Sequence, residues 1–138
     1  MQIKIHKAFL VFIVIASSAF SPAVLTASLP AAKPDQGLVI IYRVSAFKGK
    51  AVRFNVNHAE GTLGQLLSGT YLYKHLEPGA HSFFVQGVSL DGQDSISVNV
   101  EAGKTYYIKG EVLMGWPAGR PKFRQMSESE ALADLENL

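Results

Sequence analysis

Gly37-Leu38-Val39-Ile40-Ile41-Tyr42 is an unbroken apolar run, rich in β-branched residues and opened by a glycine. It is too short for a buried helix and reads as a strand covered on both faces. Beyond it, Val52, Phe54 and Val56 alternate with Arg53, Asn55 and Asn57, the period of a strand with one buried and one wet face. These two stretches set the reading of the whole chain as β.

The pattern continues toward the C-terminus. Glu60-Gly61 turns into Thr62–Leu67, and Ser68-Gly69 turns into Thr70–Leu76. Glu77-Pro78-Gly79 fits a tight turn, proline presetting one backbone angle and glycine permitting a positive one, so Thr70–Gln86 reads as a hairpin. Asp91-Gly92 is a hairpin signal, followed by the alternation of Ile96, Val98 and Val100 with Ser97 and Asn99. Ala102-Gly103 turns into a strand over Lys104–Val112. Met114–Pro121 holds two glycines and two prolines and reads as a loop. Lys122–Met126 reads as a last short strand. Ser127–Leu138 reads as a helix, with Ser127 and Glu130 placed as a capping box and Leu132 and Leu135 sharing a face with Ala131. Short strands at this spacing predict an all-β fold: a single antiparallel β-sandwich of about seven strands with a short C-terminal helix.

Upstream of Gly37 the chain changes character. Lys4 and Lys7 precede the uncharged apolar run Ala8–Phe20, which Ser21-Pro22 ends. This is the layout of a secretory signal, with cuts after Ala23 or Ala27 as candidates and Ala27 preferred. The run falls short of the roughly 20 residues that span a bilayer, so removal is expected and a retained anchor in the inner membrane is the alternative. Residues 28–36, with Pro30 and Pro34, read as a linker, and 37–138 as the folded domain. The expected compartment is the periplasm.

Lys4 and Lys7 are two of the 13 Lys and Arg, whereas all 11 Asp and Glu lie beyond the signal. Residues 28–138 therefore carry 11 of each sign, and the overall basic balance is no footprint for nucleic acid or for an anionic membrane. The chain has no cysteine. Disulfide staples, thiol catalysis and cysteine metal sites are thereby excluded, and a packed core has to hold the fold alone.

Several segments taken together resemble a bacterial family, the Domain of Unknown Function 2846 family. They are Leu38–Arg43, Leu66–Tyr71, Leu76–His81, Ala102–Ile108 and Gly119–Pro121. The resemblance runs from Gly37 to about Leu138 and implies an exported envelope protein with a mainly β fold and no known reaction or ligand. Many relatives look like lipoproteins, and this chain lacks the cysteine they use. It also has Asn57–Gly61 where many relatives turn on Asp-Gly. A looser likeness connects the chain to prealbumin-like and carboxypeptidase-regulatory-like sandwiches, usually non-catalytic accessory modules.

Candidate chemistry is sparse. His58, His75 and His81 are the residues for a three-histidine zinc site, but their spacing is no ligand motif, and His75 and His81 are expected opposite one another across the proposed hairpin. Ser68, His81 and Asp94 supply the types of a hydrolytic triad without a nucleophile-elbow pattern. Tyr71, Tyr73, Tyr106 and Tyr107 suggest a sugar or peptide platform or, more simply, strand packing; the adjacent Tyr106 and Tyr107 must point to opposite faces. The loop with Trp116 and Arg120 is the preferred contact surface, since these residue types are enriched at binding hot spots; the alternative is a Trp116 plug over the core. The leading function is a non-enzymatic binding module of the cell envelope, without cofactor or metal, acting on an unidentified envelope protein or small ligand. A structural protein pairing through a strand edge and an unrecognised hydrolase are the alternatives.

Overall fold

The apolar run becomes β1 (Gly37–Arg43), every residue of which is buried. Its side chains divide between two cores. Val39 and Ile41 point inward to a core shared with a second sheet, whereas Leu38, Ile40 and Tyr42 point outward to a smaller core beneath a helix. The computed structural model describes residues 28–87, 92–114 and 119–138. In order, β2 (Phe54–His58), β3 (Gly61–Leu66), β4 (Thr70–Leu76), β5 (Gly79–Gly87), β6 (Gln93–Val100), β7 (Thr105–Leu113) and β8 (Arg120–Met126) follow, and then α1 (Glu128–Leu135). Among the described residues, those of both cores lie between Ala32 and Leu135.

The strands form two four-stranded sheets, a front sheet ordered β4-β1-β7-β8 and a back sheet ordered β3-β2-β5-β6. The expected sandwich is present with eight strands rather than about seven, the short Lys122–Met126 segment being a full edge strand. The front sheet is not wholly antiparallel: β1 pairs antiparallel with β4 but parallel with β7, Leu38 opposite Thr105 and Tyr42 opposite Lys109. Parallel pairs sit in sheet interiors with both faces covered, which is why β1 carries apolar residues on both. The back sheet is antiparallel throughout, with a register shift between Val56 and Asn57.

Thr70–Gln86 is not a hairpin. Its two halves, β4 and β5, belong to different sheets, and Glu77-Pro78 carries the chain across one end of the sandwich. The turn residues mark where direction changes, but either a hairpin or an arch satisfies them. On the side formed by β6 and β8 the sheets are tied together: an Asp94 carboxylate oxygen accepts from the Phe123 amide at 2.8 Å and lies 3.5 Å from the Lys122 ammonium.

The capping box forms as expected. The Ser127 side chain accepts from the Glu130 amide, and the Glu130 side chain accepts from the Ser127 amide. Ala131 is fully buried against the outer face of the front sheet, with Leu135 partly so, but Leu132 stays exposed. The helix is further fixed by Asp134, which accepts from the Tyr42 hydroxyl at 2.8 Å and from Lys109 at 2.9 Å. Burial pulls the Asp134 carboxyl up, but these two donors outweigh it and hold it below the usual aspartate range. Burial, and then the same bond to Asp134, push the Tyr42 phenol well above its ordinary value.

The expected signal Met1–Ala27, the residue Asp91 and Trp116 lie outside the described residues. No helix among the described residues is long and apolar enough to cross a membrane.

Candidate interaction surface

One end of the sandwich gathers the C-terminal ends of β1 and β7 and the N-terminal ends of β4 and β8. The β1–β2 loop, residues 44–53, emerges there and is held by Arg43. The Arg43 guanidinium is buried at 3% exposure. It donates to the Val52 carbonyl at 2.6 Å and to the Gly49 carbonyl at 2.5 Å, and lies 4.7 Å from the centre of the Phe54 ring. Burial draws its pKa below the ordinary arginine value. Gly49 has φ of 75° and packs against Val112. The left-handed conformation lets the loop double back under Arg43 without side-chain strain. On the other side the Ala46 amide donates to the Ser68 hydroxyl at 3.2 Å, and the Gly69 amide to the Arg43 carbonyl at 2.9 Å.

This bracing presents Phe47 to solvent at 97% exposure. Lys48, Lys50 and Arg53 are exposed on the same loop, and residues 44–53 hold no carboxylate. Beside the loop, β7 ends with Leu113 at 50% exposure, and Met114 follows at 67%. A cleft of about 340 Å³ separates the two, lined among others by Val44, Ala46, Lys48, Glu111 and Leu113. Arg120 is exposed at the start of β8, directly opposite Leu113. The expected loop Met114–Pro121 thus starts where β7 ends but finishes sooner, because Arg120 and Pro121 are already strand. Arg120 falls at this end; Trp116 lies outside the described residues. Phe47 was not singled out by sequence reasoning. The available signal was an aromatic residue stranded in Ala46-Phe47-Lys48-Gly49-Lys50, with no apolar neighbour at strand or helix spacing.

The histidines are arranged differently from expectation. His81 faces His58, not His75. His58 is buried at the inner end of β2 and His81 sits near the start of β5. The Glu60 amide donates to His58 Nδ1 at 3.3 Å, so His58 Nε2 carries the proton and donates to His81 Nδ1 at 3.0 Å; His81 Nε2 donates in turn to the Glu77 carbonyl at 2.8 Å. Every proton in this chain has one acceptor when both rings are neutral. Burial, with smaller contributions from His81 and Lys74, pulls the His58 pKa below the imidazole value of 6.5 against the opposing Glu60 charge. Glu60 itself pairs with Lys74 at 2.9 Å, linking the two sheets. His75 is on the outer face of the front sheet and contacts the Ala31 carbonyl at 2.9 Å. Among the described residues no group of three or more His, Asp or Glu side chains is arranged to hold a metal ion.

Ser68, His81 and Asp94 are also held apart. Ser68 is in the β3–β4 turn, bonded to the Ala46 amide. Asp94 is opposite Val85 in the back sheet and bonded to Phe123, four residues along β5 from His81, or about 13 Å at the rise of a strand. Tyr106 packs toward the inner core, its hydroxyl accepting from the Glu101 amide at 3.0 Å, and Tyr107 packs into the outer core. The adjacent tyrosines thus point to opposite faces, as strand alternation requires. Tyr71 and Tyr73 lie side by side on the outer face of β4, ring centres 6.5 Å apart.

A family model described as a protein of unknown function, DUF2846, matches residues 33–121. The matched span covers β1 to β7 and reaches the start of β8, stopping short of α1. No curated protein and no solved structure matches the chain.

Proposed function

The chain belongs to the DUF2846 family, whose function is unknown, and on that premise we propose that it is a non-enzymatic binding module of the bacterial cell envelope. It is exported by Met1–Ala27 and makes contact through the end of the sandwich that carries Phe47, Leu113, Met114 and Arg120. Trp116, two residues beyond Met114 in sequence, is proposed as a contact residue on its residue type. The observation that carries this reading is the exposure of Phe47, 97% on a loop that a buried arginine and two carbonyls hold in place. Exposing a whole aromatic side chain to water forgoes about 1.5–3 kcal/mol of burial. Among the described residues nothing recovers that loss, whereas a partner that covers the ring does. The side chains capable of chemistry support the same reading, since His58, His81, Ser68 and Asp94 are each engaged in internal hydrogen bonds.

The test is site-specific photo-crosslinking in the native bacterium with the full chain. A photoreactive residue at position 47 is expected to yield a discrete adduct in the periplasmic fraction. The same residue at Phe84, exposed on the outer face of the back sheet, is expected to yield none. Trp116→Ala with Arg120→Ala should abolish the adduct without moving the thermal midpoint. An uncleaved chain retained in the cytoplasm defeats the export half of the reading; equal labelling from positions 47 and 84 defeats the surface half.

A further inference from the structure

Resting on the reading of this end as the contact surface, we infer that its occupant is an anionic phospholipid bilayer, with Phe47 inserted among the headgroups. Two features of the surface favour a bilayer over a protein pocket. First, the aromatic side chain stands on a loop at 97% exposure, and the same loop exposes Lys48, Lys50 and Arg53 and holds no carboxylate in residues 44–53. An exposed apolar side chain on a loop that also exposes three cations suits the boundary between acyl chains and anionic headgroups, where lysine stems lie along apolar material while their ammonium groups stay wet. Among the described residues no carboxylate lies within ion-pair distance of these three cations. Second, Leu113 and Met114 provide another apolar point across the cleft, so the contact is broad enough to fix orientation.

The strand carboxylates near this loop have partners of their own. Asp94 and Glu111, the carboxylates of the strands nearest this end, are already matched by Lys122, and by Lys109 and Arg124. The exposed Lys48, Lys50 and Arg53 are the charge this loop offers an anionic surface. The bracing by Arg43 means that little loop ordering has to accompany docking.

The experiment uses the protein purified from cells that express the full chain, and sedimentation with vesicles of phosphatidylcholine alone or of an equal mixture of phosphatidylcholine and phosphatidylglycerol. Binding is expected to the mixed vesicles only, and to weaken as salt is raised. Phe47→Ser should lower the affinity by about tenfold or more, and Lys48→Gln and Lys50→Gln by about fivefold each, with thermal midpoints unchanged because all three side chains are exposed. Phe84→Ser should have no effect. No binding to mixed vesicles at low salt, or an equal loss with Phe84→Ser, overturns the inference. If vesicle binding is absent while the position 47 adduct to a protein persists in cells, the bilayer is the wrong partner and the contact surface stands. If both are absent, the surface itself is wrong.

Discussion

Arg43→Lys is the sharpest probe of how the exposed loop is held. The guanidinium bridges two carbonyls, Gly49 at 2.5 Å and Val52 at 2.6 Å, and lies against the Phe54 ring. A hydrogen bond from a charged donor is worth about 1.5–3 kcal/mol net. A lysine ammonium keeps the charge but, as a point donor on a different stem, cannot span both carbonyls with the fixed fork of arginine. One bond and most of the ring contact are lost, so the expected destabilisation is about 2–3 kcal/mol. For a domain of this size that lowers the melting midpoint by roughly 10 °C. The loop should open more readily than the fold as a whole. Trypsin cuts after Lys48 and Lys50, so the initial cleavage rate reports the opening directly, and a loss of about 2 kcal/mol raises it about 30-fold where opening is fast relative to cutting. If Arg43→Lys is cut at the wild-type rate and melts within about 1 °C of wild type, the loop is held by its packing on Val112 and the reasoning from the guanidinium is wrong.

Gly37→Ala should cost about 3 kcal/mol in urea unfolding, because the added methyl runs into the Val100 side chain and comes within 2.7 Å of the Glu101 carbonyl oxygen; a loss under 0.5 kcal/mol, itself about the size of an ordinary surface effect, refutes it. Tyr42→Phe removes one donor from Asp134 while Lys109 remains, so a loss of about 1–2 kcal/mol is expected, read by unfolding and by faster amide exchange in α1. Stability should fall as pH drops below about 6.5. His58 is neutral in the fold with its pKa depressed chiefly by burial, so the unfolded chain takes up the proton first and gains at the expense of the native state. His58→Gln should flatten that dependence in urea midpoints measured across the pH range; an unchanged slope places the titration elsewhere.

How far the fold could be read in advance depended on whether a feature was local. The alternation of Phe54 and Val56 with Asn55 and Asn57, the double-sided apolar run of β1 and the Ser127–Glu130 capping box are all set by residues within a few positions of each other, and each formed as expected. The partner of each strand is not local. Glu77-Pro78-Gly79 looks the same whether β4 and β5 pair or part into separate sheets, and the error carried His81 to the wrong neighbour. The parallel pairing of β1 with β7 was likewise hidden, although the apolar character of both faces of β1 was its trace. At the candidate surface, Arg120 was legible from its residue type, but Phe47 was not. Its exposure follows from Arg43 gripping Gly49 and Val52, a contact between side chain and main chain that no periodicity records.

The position of β1 also bears on when the chain can fold. Its two neighbours are β4 and β7, with Leu38 opposite His75 on one side and Thr105 on the other. The strand that anchors both cores is therefore among the first made and cannot be completed on its second edge until most of the chain is present. Pairings so distant in sequence are slow to form. For the exported chain proposed above, that delay is useful, because an N-terminal segment that engages a translocation pore is followed by polypeptide still unable to close its front sheet. The same connectivity that makes the finished sandwich hold without disulfides keeps the nascent one threadable.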